Sequence, residues 1–157
     1  MPGTALDQSE HRCGALLEHL ARRMRLRSES VLAPLGLRPR HLVALTVLRD
    51  SGGSTQQALA GTLEMDGTNL VGLLNELEAA GLVERRRCLD DRRRHAVVLT
   101  PTGAERLGEA ECALATAEAE VLSGLAPAER ETLYDLLKRA TGAAGTCADA
   151  LKDDADR

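Results

Sequence analysis

A mainly α (α+β) fold is predicted for this chain, with six helices arranged around one small hairpin. Two observations predict it. Leucine and alanine recur at helical spacing through most of the sequence, as they do in amphipathic helices. One stretch breaks that rhythm: Gly81 to Gly103, GLVERRRCLDDRRRHAVVLTPTG, reads as two short strands, about Leu82–Arg87 and His95–Thr100, joined by a tip carrying Arg92, Arg93 and Arg94. The order is α-α-α-α-β-β-α-α, with a short extra strand possible near Ser54. At 157 residues the chain suits one domain, alone or with a helical extension.

The first helix is expected from about Glu10 to Leu32. Cys13, Leu16, Leu17, Leu20, Met24 and Val31 fall at helical spacing, and Arg22, Arg23, Arg25 and Arg27 occupy the other side. Pro34 and Gly36 interrupt it. A second helix starts near Arg38, with Pro39 suited to its first turn, and runs through Leu42, Leu45 and Leu48 until Ser51-Gly52-Gly53 ends it. Ser54 with Gln57 reads as a capping box for a short helix burying Ala58, Leu59 and Leu63. Asp66-Gly67-Thr68 supplies the turn and cap of the fourth helix. That helix runs to about Ala80, where Gly81 fits the left-handed position past a helix end. Pro101 opens a long helix with a seam of Ala104, Leu107, Leu114 and Val121, broken at Ser123-Gly124. A final helix, about Pro127 to Ala140, is expected to bury Leu133, Leu136 and Leu137. The tail beyond Gly142, rich in Ala and Asp, is expected to fray.

Composition narrows the class. Aromatic residues make up 1% of the chain, with Tyr134 alone among Phe, Trp and Tyr, so the core must be built from Leu, Val, Ala and Met. No apolar run approaches the roughly 20 residues that span a bilayer. The N-terminus lacks the basic start and apolar stretch of a secretory signal, so cytoplasmic residence and no membrane partner are expected. Cys13, Cys88, Cys112 and Cys147 form no CxxC pair and are expected to be reduced thiols. No G-x-S-x-G, Gly-rich phosphate loop, paired-carboxylate geometry or supported Cys–His pair is present, so an enzyme is not expected. The histidines and cysteines show no spacing of a tetrahedral metal site, and no cofactor is implied.

Net charge is −4, which by itself argues against a nucleic-acid partner. Its distribution reverses that. Residues 1–50 carry a net +3, residues 51–80 a net −4, residues 81–100 a net +3 and residues 101–157 a net −6. A polyanion senses the basic hairpin first, because salt screens charges beyond roughly 8 Å.

The fourth helix and the hairpin form the candidate site. Leu70, Leu73, Leu74 and Leu77 follow the i, i+3, i+4, i+7 rule and mark one buried stripe. Opposite lie Thr68, Gly72, Asn75, Glu76 and Ala79, with Asn69 at the flank. These small and polar residues permit close approach to base edges, and Asn can bond bidentately to adenine. The bland alternative is a solvated face on an ordinary helix. A capped helix before it and an arginine-tipped hairpin after it favour readout: the helix enters a major groove, and an arginine of the hairpin enters the adjacent narrow minor groove. That arrangement is a winged helix-turn-helix, with double-stranded DNA as the partner.

Four segments in order carry a family resemblance: STQQALAGTL, DGTNLVGLLNELEAAGLVERR, DDRRRHAVVLTPTG and APAERETLYDLLKR. Together they make about residues 10–142 similar to the MarR family of winged-helix repressors, the DRR hairpin followed by LTPTG being the most specific part. The resemblance implies a symmetric homodimer on a pseudo-palindromic operator, released when a small-molecule effector binds between the dimerisation and DNA-binding parts. It divides the chain into a dimerisation helix (1–36), a DNA-binding domain (37–100), C-terminal dimerisation helices (101–142) and a flexible acidic tail (143–157). By position it makes Asp91 the brace of the wing and Arg93 its minor-groove finger, beside Arg92 and Arg94. Thr68, Asn69, Gly72 and Asn75 would face the major groove, and Ser54, Thr55 and Gln56 would lie near phosphates at a helix start. The chain departs from the family pattern at Cys88-Leu89, where Asp-Pro is common.

Two alternatives stand beside this reading. Some relatives sense oxidants through a cysteine in the first helix, but Cys13 falls on the apolar stripe, where a buried structural cysteine is expected, and no tyrosine supports it. A winged helix used only for protein–protein contact would be expected to lack wing arginines and to carry an apolar fourth-helix face. For the effector, a small anionic or lipophilic metabolite is expected, with Arg22, Arg23 or His41 available to a carboxylate.

Overall fold

The computed structural model describes residues 12–88, 90–91 and 93–142. Within them the helices are α1 (Cys13–Leu32), α2 (Pro39–Ser51), α3 (Gln56–Leu63), α4 (Gly67–Ala79), α5 (Pro101–Val121) and α6 (Pro127–Ala140). A 3-10 turn, Ala33–Leu35, links α1 to α2 at the Pro34–Gly36 interruption. Three strands, β1 (Ser54–Thr55), β2 (Val83–Arg87) and β3 (His95–Leu99), form an antiparallel sheet in the order β1-β3-β2. Arg85 pairs with Val97 and Arg87 with His95, while the short β1 sets Ser54 against Val97. The fold is the mainly α winged-helix architecture expected from the sequence, with the extra strand near Ser54 present.

The core is almost entirely aliphatic. Leu32, Leu45, Leu48, Leu59, Leu70, Leu73, Leu74, Leu77, Leu82, Val97 and Leu107 are its largest fully buried side chains. The leucine stripe of α4 is buried as its spacing requires. In α2 every residue from His41 to Thr46 is buried, and so is Leu48, because α2 packs against α3, α5 and β3 at once. Its only internal hydroxyl, Thr46, donates back to Leu42 O at 2.8 Å and so carries no unmet polar group inside.

The starts of α3, α4 and α5 follow from side-chain oxygens near the free backbone N–H groups. Asp66 caps α4, its Oδ1 accepting from Asn69 N at 2.8 Å. At the other end of α4, Gly81 has φ +73°, and Leu82 N donates to Leu77 O while Gly81 N donates to Glu78 O, both at 2.9 Å. That pairing closes the helix and turns the chain into β2.

Several details differ from the sequence reading. The cap of α3 is Thr55, whose Oγ1 accepts from Ala58 N at 3.1 Å, and not Ser54. Pairing with Val97 places Ser54 in β1, and its hydroxyl donates to Thr55 O instead. The buried line of α5 is Gly103, Leu107, Ala110 and Ala117; Ala104 lies off that line and is exposed. Leu133 is half-buried and Leu136 and Leu137 are exposed, so among the described residues the apolar face of α6 is unpartnered. Cys13 is exposed too, not buried, because nothing among the described residues covers the start of α1, where Leu16 and Leu17 are also open. Glu10, Arg92 and the tail from residue 143 lie outside the described residues.

Salt bridges tie the outer helices to the core layer. Arg27 of α1 donates to Glu120 of α5 at 2.6 Å, and this hydrogen bond holds the Glu120 carboxyl below its ordinary range. Arg49 of α2 reaches Glu111 of α5 at 2.5 Å. Arg106 of α5 donates to Leu35 O at 2.6 Å, securing the turn between α1 and α2. Among the described residues no single helix is long and apolar enough to cross a membrane.

Candidate nucleic-acid interface

Two elements project polar side chains beside one another: α4 and the β2–β3 hairpin. On α4 the leucines take one side, leaving Thr68, Asn69, Gly72 and Asn75 exposed on the other. A Cβ built on Gly72 would meet nothing within 4 Å, so the surface there is open to close approach. Asn69 is drawn to the helix start, its Nδ2 donating to Asp66 Oδ2 at 2.6 Å. The Asn75 Oδ1 accepts from Arg85 of β2 at 3.1 Å.

Glu76, placed on the same face by its position in the sequence, is used differently. It accepts from His41 Nε2 at 2.8 Å and from Arg40 Nη2 at 3.2 Å, both on α2. The His41 hydrogen bond is the main cause that holds the Glu76 carboxyl below its ordinary range, with Arg40 and Arg38 adding to it. Arg38 N donates to His41 Nδ1 at 3.1 Å. Nδ1 therefore accepts, and the ring proton sits on Nε2, facing the carboxylate. His41 is buried, and this Arg38–His41–Glu76 chain locks α4 onto the N-terminus of α2. The sequence leaves His41 available to an effector's carboxylate; in the structure its Nε2 faces the carboxylate of Glu76 instead. No periodicity links positions 41 and 76, so the contact had no signal in the sequence.

The wing narrows its own list of available cations. Arg85 pairs with Glu78 at 2.5 Å and Arg86 pairs with Glu84. Arg94 lies 3.9 Å from Asp91. Asp91 also accepts from Arg93 N at 3.0 Å through Oδ1, and its carbonyl accepts from Arg94 N at 3.0 Å. Cys88 N donates to Arg94 O at 2.9 Å, closing the base of the loop. Asp91 thus shapes the turn through the backbone, and the Arg93 guanidinium is exposed with no ion-pair partner among the described residues.

The third group, Ser54, Thr55 and Gln56, is half-buried where β1 runs into α3. Thr55 Oγ1 is occupied as the cap. Gln56, at the first turn of α3, stands where backbone N–H groups point outward and favour an anion. Among the described residues, no group of three or more His, Cys, Asp and Glu is placed to hold a metal ion.

Residues 35–94, from the 3-10 turn through the wing tip, match the sequence pattern of the MarR family. A relative from Thauera aromatica, described as a putative transcriptional regulatory protein for the hcr operon, is 36% identical over 104 residues, covering 66% of this chain. The chain belongs to the MarR family. It spans 63% of that relative's length. A cysteine-to-serine mutant of MarR from E. coli, solved in complex with operator DNA, superposes with a TM-score of 0.65 at 25% identity, covering 87% of this chain and 99% of that one. CouR from Rhodococcus jostii RHA1, solved bound to p-coumaroyl-CoA, gives 0.63 at 25% identity, covering 82% and 91%. These MarR relatives are regulators and not enzymes.

Proposed function

We propose that this MarR-family chain is a homodimeric transcriptional repressor that holds a pseudo-palindromic operator through α4 and the wing. A small-molecule effector releases it. The observation that carries the reading is the pairing of an exposed small-and-polar α4 face with a braced hairpin whose Arg93 has no ion-pair partner among the described residues. Thr68, Asn69, Gly72 and Asn75 approach base edges in the major groove, Arg93 enters the minor groove, and the turn into α3 lies against phosphates. A relative that binds operator DNA supports this assignment.

What the described residues leave uncovered supports the dimer. Leu16 and Leu26 of α1 are 70% and 61% exposed, and Tyr134 and Leu136 of α6 are 61% and 52% exposed. Exposed apolar side chains this numerous on two helices point to a partner surface, and a second copy of the same helices supplies one with two-fold symmetry. Residues 1–36 and 101–142 form the dimerisation region, and residues 37–100 form the DNA-binding domain. For the effector, CouR shows that a relative takes an anionic thioester. Between α1 and α5, Arg23, Leu26, Arg27, Ser30, Glu120 and Val121 line an open groove of about 370 Å³; Arg27 there is already paired with Glu120, which leaves Arg23 as the cation available to an anionic ligand.

Random-sequence DNA selection with the purified protein tests the reading. An inverted repeat with half-site centres about 10 base pairs apart is expected, bound by a dimer in sedimentation. Recovery of no shared sequence, or binding by a monomer to single half-sites, would overturn it. The exposure of Cys13 favours a second reading, a redox-responsive repressor. In that case peroxide weakens DNA binding by the native protein and not by Cys13→Ser; equal responses dismiss it.

A further inference from the structure

Two amides on the exposed face of α4 are held by partners that can bond in one sense only. A guanidinium donates and never accepts, so the Asn75 atom 3.1 Å from Arg85 Nη2 is its carbonyl Oδ1. An ionised carboxylate only accepts, so the Asn69 atom 2.6 Å from Asp66 Oδ2 is its Nδ2. The two side chains therefore face the surrounding space with opposite polarity, and chemistry settles which way each amide is turned.

Arg85 is well anchored for the task at Asn75. It rises from β2 on the strand leading into the wing, and its other terminal nitrogen donates to Glu78 Oε2 at 2.5 Å, one helical turn from Asn75. Its side chain is 24% exposed, against 68% for Arg86 on the same strand. Holding Asn75 by its oxygen leaves the NH2 group, with two donors, as the outward-facing part of an exposed residue.

We propose that Arg85 is a specificity-determining positioning residue, which turns the Asn75 amide so that α4 reads keto edges, guanine O6 and N7 or thymine O4, in preference to adenine. This rests on the reading that α4 lies in a major groove. Bidentate recognition of adenine needs Oδ1 to accept from N6–H while Nδ2 donates to N7. In this chain Oδ1 is turned toward β2. Cytosine offers only the N4 amino group at that edge, a donor set against donors. Guanine offers two adjacent acceptors, O6 and N7, to the two N–H donors and thymine offers O4, whereas adenine offers N7 alone, beside an N6 amino group that meets the NH2 donor to donor. The adenine contact expected from the presence of an asparagine is thus replaced by its opposite.

Parallel random-sequence selections with the native protein, Asn75→Ala, Arg85→Met and Asn75→Asp test this. Asn75→Ala identifies the position, which becomes indifferent in each half-site. There the native protein is expected to favour guanine or thymine over adenine by about tenfold. Arg85→Met frees Oδ1 and brings adenine to within about threefold of the keto bases. Asn75→Asp keeps the size and the Arg85 partner but presents oxygen, moving the preference to cytosine, so the proposal remains testable if Arg85→Met fails to fold by circular dichroism. Adenine favoured by the native protein overturns the proposal, as does an unchanged preference in folded Arg85→Met, an unchanged preference in Asn75→Asp, or an inverted repeat with no position sensitive to Asn75→Ala. An absence of any inverted repeat with the native protein instead overturns the major-groove reading beneath it.

Discussion

Arg93→Ala is expected to weaken operator binding by roughly 10- to 100-fold near physiological salt, with the fold intact. The wing contains six arginines in sequence, but the structure distributes them unequally. Arg85 and Arg86 are matched by Glu78 and Glu84, and Arg94 lies near Asp91. Arg87, exposed and without an ion-pair partner among the described residues, stands in β2 opposite His95, at the base of the loop and not in its tip. Arg93 is exposed, and its backbone N–H is fixed by the Asp91 carboxylate, so the side chain leaves a braced turn. An arginine held this way enters a narrow minor groove with little ordering cost and meets enhanced negative potential there. If part of its contribution is a phosphate contact, the slope of log K against log salt should shrink by about 0.9. Arg86→Ala serves as the control, because an exposed cation already paired with a glutamate contributes little; it should change affinity less than about threefold. Fluorescence anisotropy across a salt series measures both. Equal affinities for Arg93→Ala and the native protein at every salt concentration would remove the finger from the interface.

The parts of this molecule that were legible in the sequence are those governed by local rules. The leucine stripe of α4, the Asp66 cap, the Gly81 ending and the arginine-tipped hairpin each depend on residues within a few positions of one another. What escaped depends on partners distant along the chain or outside it. Ser54 and Thr55 are adjacent hydroxyls that both qualify as a cap, and only the pairing of Ser54 with Val97 decides between them. Glu76 falls on the outward face by helical geometry, yet His41 lies 35 residues earlier and captures it. Leu136 and Leu137 have the spacing of a buried stripe, but periodicity says only that a face is apolar and not which molecule covers it. The identities of the candidate base readers were visible; the polarity in which Asn75 is presented was not, since it depends on Arg85 from the next element.

Gly103→Ala is expected to destabilise the protein by about 3 kcal/mol or more, the largest single-site loss proposed here. The LTPTG segment reads in sequence as a helix start, and Thr100 performs that role: its Oγ1 accepts from Gly103 N at 2.9 Å and donates to Gly81 O at 2.6 Å. Thr100 N also donates to Leu82 O at 3.1 Å. These bonds draw the first turn of α5 onto the end of α4 and the start of β2. The consequence is crowding at position 103, where an added Cβ would stand 2.0 Å from the Leu82 carbonyl oxygen and 2.9 Å from Leu99 Cδ1. The Leu82 oxygen belongs to backbone already committed to Thr100, so it can move away only by giving up that bond. Gly108, further along the same helix, would meet nothing within 4 Å. Alanine there should gain up to about 1 kcal/mol from helix propensity alone, giving two Gly→Ala changes on one helix with opposite signs. Thermal unfolding distinguishes them: a midpoint lowered by roughly 10 °C for Gly103→Ala and unchanged or raised for Gly108→Ala. Because Leu82 leads directly into β2, a tolerated Gly103→Ala would mean that α5 does not press on the base of the wing, and the close junction between α5 and the β2–β3 hairpin would have to be abandoned.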